Sequence, residues 1–185
     1  MNLGQKITIL GNAGSGKSTL ANYLASYLHL PVHHLDRFFW TTNWVERESE
    51  EFLTVVKEIL KDDKWIMDGN YTKASFNERL ALSSTIIFFD YNRFLVIYRI
   101  IKRYFKYKDK ERKDICTGCG EKMNWSFIKW VWSFNQRLRQ MILEKLKECE
   151  ARGSQVYIFK NRRAFKRFIK LFEETYGKNY YHRKF

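Results

Sequence analysis

The chain has little of what would place it outside a cell or inside a membrane. Cysteine occurs three times in 185 residues, too few for a disulfide framework, so the expectation is a cytoplasmic protein with reduced thiols. No apolar run approaches the roughly eighteen residues of a membrane span. The first apolar run starts at Lys6 without the layout of a signal peptide. Internal repeats and low-complexity linkers are missing too, and no membrane partner is expected. Acidic residues are scarce, 20 against 34 basic ones, for a formal net charge of +14. Such a field draws anions without choosing among nucleotide phosphates, acidic metabolites, nucleic acid or a membrane surface. The excess gathers between Arg93 and Lys113 and again from Lys160 to Lys184, where a solvated face is the alternative reading.

What remains is a globular composition, 45% hydrophobic and 17% aromatic, at a length that suits one domain with its own core. Gly11-Asn12-Ala13-Gly14-Ser15-Gly16-Lys17-Ser18 is a complete G-x-x-x-x-G-K-[ST] signature. Lys6-Ile7-Thr8-Ile9-Leu10 before it reads as a buried strand. Leu20, Tyr23, Leu24, Tyr27 and Leu28 after it mark one apolar helix face. Strand, glycine loop and helix are the context of a phosphate-binding loop. Its glycines let backbone N–H groups converge on phosphate oxygens, and the following helix adds its positive end. Lys17 is expected to reach the β- and γ-phosphates and the Ser18 hydroxyl to ligate Mg²⁺, with Gly11 to Thr19 holding ATP.

Further strands are expected at Pro31–Leu35, ending at Asp36; at Trp65–Met67, leading to Asp68-Gly69; at Thr85–Phe89, ending at Asp90; and at Gln155–Phe159. Helical periods run through Phe52, Val55, Val56, Ile59 and Leu60, and from 92 to 107 with Phe94, Ile97, Tyr98, Ile101 and Tyr104 or Phe105 inward. One long helix is expected from Trp125 to Arg152, and a last one from Ala164 to Tyr176. Alternation of this kind implies an α/β fold with a parallel sheet covered on both faces. Gly11, Asp36, Asp68 and Asp90 then line the carboxyl edge, where such sheets bind ligands. For each aspartate, capping a turn is the alternative.

Several of these residues together resemble a known family. The loop signature, His34-Leu35-Asp36, Trp65-Ile66-Met67-Asp68-Gly69-Asn70-Tyr71, the strand from Ile86 to Asp90, and Arg112-x-Asp114 with Gly118-Cys119-x-Glu121 are similar to the adenylate-kinase-like P-loop proteins called DNA topology modulation proteins (FlaR-related). The resemblance covers about residues 5–175. It implies a five-stranded parallel sheet of nucleoside-monophosphate-kinase type, strand order 2-3-1-4-5, in a domain of residues 1–176 with a mobile lid near 104–124. A basic aromatic tail, 177–185, follows; it reads as frayed or as able to stack on single-stranded bases. Asp68 resembles the carboxylate that serves magnesium in adenylate kinases. Those enzymes continue with Phe-Pro-Arg, whereas Asn70 and Tyr71 stand here, so AMP is not the expected acceptor. His34-Leu35-Asp36 is similar to the end of the strand in small-metabolite kinases that faces an acceptor hydroxyl.

Phosphoryl transfer needs alignment and neutralised charge more than covalent help. Candidates for neutralisation are Lys17, a magnesium on Ser18 and Asp68, and Arg103 and Arg112 closing over the triphosphate. Arg99 shares a helix face with Arg103, and a solvated basic face is the competing reading for all three. Asp36 is the candidate general base or positioning group. Asn70, Tyr71 and Arg79 are candidates for holding the acceptor. Phe38, Phe39, Trp40 and Trp44 read either as an aromatic wall for it or as core beneath a small subdomain. Cys116 and Cys119 form a C-x-x-C without a second pair, so zinc is not expected. The leading function is a Mg²⁺-dependent kinase for a small-molecule or nucleotide acceptor. The alternatives are a nucleotide-binding regulator that holds DNA or RNA, and an NTPase whose acceptor is water.

Overall fold

The computed structural model describes residues 1–107, 119 and 123–177. Five strands form one parallel sheet: β1 (Lys6–Gly11), β2 (Val32–His34), β5 (Trp65–Asp68), β6 (Thr85–Phe89) and β7 (Gln155–Phe159). They lie in the order β2-β5-β1-β6-β7, which is the expected 2-3-1-4-5 when only these strands are counted. A two-stranded antiparallel hairpin, β3 (Trp40–Thr41) and β4 (Val45–Glu46), stands apart from it. The helices are α1 (Lys17–Leu28), α2 (Leu35–Phe39), α3 (Ser49–Lys61), α4 (Phe76–Leu82), α5 (Arg93–Tyr107), α6 (Trp125–Trp132), α7 (Gln140–Ala151) and α8 (Arg162–Tyr176).

Alternation along the strands sorts the core into layers. Ile7, Ile9, Ile66, Ile87 and Phe89 meet Leu20 and Leu24 of α1 and Phe165, Phe168 and Phe172 of α8. On the other face Leu10, Ile86 and Phe88 meet Phe76 and Leu80 of α4 and Ile142 and Leu146 of α7. Trp65 and Met67 cover Phe52, Val56 and Leu60 of α3. Burial of β1, β5 and β6 on both sides explains why they read as continuous apolar runs.

Three expectations need correcting. The helix expected from Trp125 to Arg152 is broken: α6 and α7 are separated by a π-helical turn at Asn135–Arg139, which aims Arg139 at the sheet edge. The inward face of α5 is Val96 and Ile100, with Ile97 packed against the same core as expected, while Phe94, Tyr98, Ile101 and Phe105 are exposed. Periodicity reveals a stripe, and this helix has two; the one with an apolar partner went inside. Asp36 does not end a strand but lies in the first turn of α2.

α1 and α8 are joined by a buried polar bond. The Tyr23 hydroxyl donates to Glu173 Oε1 at 2.6 Å, and burial together with that carboxylate pushes the phenol well above its ordinary range. Tyr23→Phe removes a bond to a charged acceptor worth about 1.5–3 kcal/mol. Urea unfolding should show a loss of that size with the m-value unchanged; an unaltered midpoint would mean the bond contributes nothing.

Candidate active site

The loop between β1 and α1 is shaped by what presses on it. Gly14 has φ +73°, and a Cβ there would stand 2.7 Å from Ile100 Cγ1 of α5. Gly11 has φ +144°, and its Cβ would meet Phe89 Cβ at 2.9 Å. Neither position admits a side chain, so β6 and α5 seat directly against loop backbone. Side chains hold the rest. Asn12 donates from Nδ2 to Val131 O of α6 at 2.9 Å and accepts from Ala13 N at 2.8 Å. Arg99 donates to Ser15 O at 2.9 Å, with its guanidinium 5.0 Å from the Tyr91 ring centre. Lys17 Nζ reaches back to Asn12 O at 3.1 Å. Gly16 caps α1 without a side-chain bond, so the first N–H groups of the helix are presented toward an anion.

Parallel register brings the next group to the same edge. His34 and Asp68 are paired positions of β2 and β5, and Asp68 is paired with Ile9 of β1. Ser18 Oγ donates to Asp68 Oδ2 at 2.7 Å, and His34 Nδ1 lies 2.5 Å from Asp68 Oδ1. Asp68 and His34 are both buried. Ser18 and Asp68 thus offer oxygen donors of the kind Mg²⁺ takes beside a phosphate loop. His34 fixes the carboxylate from behind, as outer partners of metal ligands do.

Asn70 and Arg79 have other work than expected. Asn70 Oδ1 accepts from Gly11 N at 3.0 Å and Nδ2 donates to Gly11 O at 2.9 Å, a two-point clamp on the start of the loop. Arg79 is fully buried; Nη2 donates to Gly69 O at 2.9 Å and Asn70 O at 2.8 Å. Burial pushes the guanidinium down to about 10 against the pull of Asp68. With no exposed surface, Arg79 supports the turn from beneath and does not meet a solute.

Asp36 is exposed and accepts from the Tyr71 hydroxyl at 2.6 Å. Burial and the Asp36 and Asp68 carboxylates push the Tyr71 phenol up, so it stays protonated and donates. Its ring is held between Phe39 and Phe52, 4.9 and 5.0 Å away. Of the suggested aromatic wall, Phe38 and Phe39 belong to the α3 core. Trp40 and Trp44 meet edge-on at 5.6 Å and cover buried Cys119, which is held in a disulfide and not as the expected thiol. All four are half-buried and pack against small clusters beside the sheet. Asp90 is taken by Arg139, Nε to Oδ1 at 2.7 Å and Nη2 to Oδ2 at 2.8 Å. Arg103 is half-buried on α5; Arg112 and Cys116 lie outside the described residues. Among the described residues no cluster of His, Cys, Asp and Glu forms a metal site of three or more.

A cavity of about 230 Å³ runs from Gly14, Gly16 and Thr19 to Arg162, Phe165 and Lys166 at the start of α8. It joins the glycine loop to three rings, Phe89, Tyr91 and Phe165, and three cations, Arg99, Arg162 and Lys166. The architecture is shared with a shikimate kinase from Acinetobacter baumannii in complex with shikimate, 16% identical over 95% of this chain and 96% of that one, TM-score 0.59. It is shared too with a gluconokinase from Sinorhizobium meliloti 1021, 15% identical over 95% of this chain and 98% of that one, TM-score 0.52. The fold is that of the P-loop kinases. No protein-family model matches the chain, and no curated protein matches it either.

The Asn70 clamp makes a direct test of how the loop is held. Asn70→Ala strips both partners from the Gly11 peptide, at a cost of about 1–3 kcal/mol. Thermal unfolding should register that loss together with weaker nucleotide binding by calorimetry. A variant that is destabilised yet binds nucleotide normally would show that the clamp does not shape the loop.

Proposed function

We propose that the chain is an ATP-dependent phosphotransferase acting on a hydroxyl of a small molecule. The observation that carries this reading is the Ser18–Asp68 pair at the mouth of the glycine loop, with Asp36 nearby through Tyr71. The fold and the names of its two relatives, both kinases and one solved with shikimate bound, support it. The resemblance of the Asp-Gly-Asn-Tyr stretch to topology modulation proteins is compatible with it.

In this reading the N–H groups from Gly14 to Thr19 bind the phosphate tail, and Lys17 swings from Asn12 O to its outer oxygens. Mg²⁺, when bound, neutralises charge on the terminal phosphates. Ser18 and Asp68 hold it, with His34 orienting the carboxylate. Arg162, Phe165 and Lys166 border the space for the rest of the nucleotide. Asp36, oriented by Tyr71, receives the acceptor's hydroxyl proton on its carboxylate. Arg103 and Arg112 add charge against the transferring group. With Arg79 buried beneath the turn, no arginine follows Asp68-Gly69 to grip a phosphate, which favours a neutral hydroxyl acceptor over AMP.

An ADP-release screen across nucleosides, nucleotides and hydroxylated metabolites should find an acceptor, with Lys17→Ala inactive. Asp36→Asn should lower kcat by about 10²–10⁴ while nucleotide affinity holds. Arg112→Ala should likewise reduce turnover more than affinity. ADP release that needs no added compound would make water the acceptor. Nucleic-acid binding with a steep salt dependence and no ADP release would replace the reading with that of a regulator.

His34 gives a separate prediction. His34→Phe should weaken Mg²⁺ binding to the nucleotide complex about tenfold, leaving metal-free nucleotide binding alone. An unchanged magnesium titration would detach His34 from the metal.

A further inference from the structure

The second apolar stripe of α5 is on the outside. Phe94, Tyr98, Ile101 and Phe105 are 67%, 61%, 37% and 72% exposed, and their spacing of four, three and four residues keeps them in one line along the helix. Helix α6, which packs against α5, extends the surface. Trp125 is 80% exposed, and Trp130 and Trp132 are 43% and 40% exposed. Trp132 lies edge-on to Phe94 with ring centres 5.2 Å apart. Large side chains concentrated on two packed helices differ from the single exposed hydrophobes of an ordinary monomer surface.

Within the helices that bear these rings the charge has one sign. Helices α5 and α6 and the π-turn contain no Asp or Glu, while Arg93, Lys102, Lys106, Lys129 and Arg137 stand among them. We propose that this face docks peripherally on an anionic lipid bilayer, rings at the headgroup–acyl boundary and cations on the lipid phosphates. Tryptophan, tyrosine and phenylalanine are suited to that depth, an apolar body with wet surroundings at one edge. No helix among the described residues is long and apolar enough to cross a membrane, so the contact is with the surface alone. The expectation that membranes take no part rested on the lack of a span, which does not bear on this mode.

Two other occupants fit less well. A second copy would set Arg93, Lys102 and Lys106 against the same cations about a twofold axis. Single-stranded nucleic acid needs open ring faces on which bases stack, and Trp130 and Trp132 each have a face covered by a cation. Arg93 covers Trp132 at 4.7 Å and Arg137 covers Trp130 at 4.9 Å. Phe127 also stacks near Trp130, with ring centres 6.1 Å apart. What such pairs leave outward is a ring edge beside a cation.

Co-sedimentation of the full chain with vesicles of equal parts phosphatidylglycerol and phosphatidylcholine tests the proposal. Binding is expected there, with a blue shift of tryptophan emission, and not with phosphatidylcholine alone. Replacing three exposed rings together, Phe94→Ser, Tyr98→Ser and Phe105→Ser, should weaken binding at least about tenfold, since burial of one such ring is worth about that much. Circular dichroism checks the fold of that variant. Lys102→Glu with Lys106→Glu gives an independent loss and leaves the rings in place. No binding to the anionic vesicles, equal binding to both vesicle types, or full binding by the two variants overturns the proposal. So does a dimer that the ring substitutions dissolve, or single-stranded oligonucleotide binding that anionic vesicles fail to displace. None of these readouts involves phosphoryl transfer, so the proposal stands or falls apart from the kinase reading.

Discussion

Asn70 holds Gly11 by both its backbone hydrogen-bonding groups, and Arg79 holds the peptides on either side of Asn70 from below. Through these bonds the end of β5 and the end of β1 behave as one piece of backbone. The arrangement of the edge follows from that. With β1 and β5 in fixed register, Asp68 stands beside Ser18 on one side and beside His34 of β2 on the other. Arg79 is a demanding support, because a buried guanidinium needs its donors satisfied. Two peptide carbonyls take Nη2 and the Asp68 carboxylate favours the charge, while Nε and Nη1 are buried without a hydrogen-bond partner.

The loop itself is gripped from all sides before any ligand arrives. Asn12 is tied to α6, Ser15 to Arg99 on α5, Gly11 to Asn70, and Gly14 lies under Ile100. Donors fixed in advance need no reorganisation when charge develops on a phosphate, and this is where fixed dipoles gain over water. Arg99 belongs to that scaffold as a brace on the Ser15 carbonyl, stacked on Tyr91.

The strands and the loop were legible because their signals are local, whereas the sheet order came only with the family resemblance. A glycine signature between an apolar strand and a 3.6-residue period is contained within Lys6 to Leu28, and β1, β5 and β6 declare themselves as apolar runs that end at Gly11, at Asp68 and before Asp90. What escaped depends on partners distant in sequence. Nothing near Asp90 announces Arg139, 49 positions away, which arrives through a π-turn inside an apparently continuous helical period. His34 gained its role from strand pairing with Asp68, 34 positions on. Arg79 looked like a surface cation for an acceptor because charge in a sequence implies solvent, whereas two carbonyls drew it into the interior.

Helix α5 shows the limit of periodicity most clearly, and its two faces have different obligations. The stripe of Phe94, Tyr98, Ile101 and Phe105 is the more hydrophobic of the two by side-chain size, yet it lies outside. The inner face needed small, close contact: a Cβ on Gly14 would stand 2.7 Å from Ile100 Cγ1 and 3.3 Å from Val96 O. An aromatic at either position would push the helix off the loop and take the Arg99 brace with it. Loop geometry therefore sets which face of α5 points inward. The bulk that hydrophobicity alone would have buried is left on the surface, beside cations that no acid on α5 or α6 offsets.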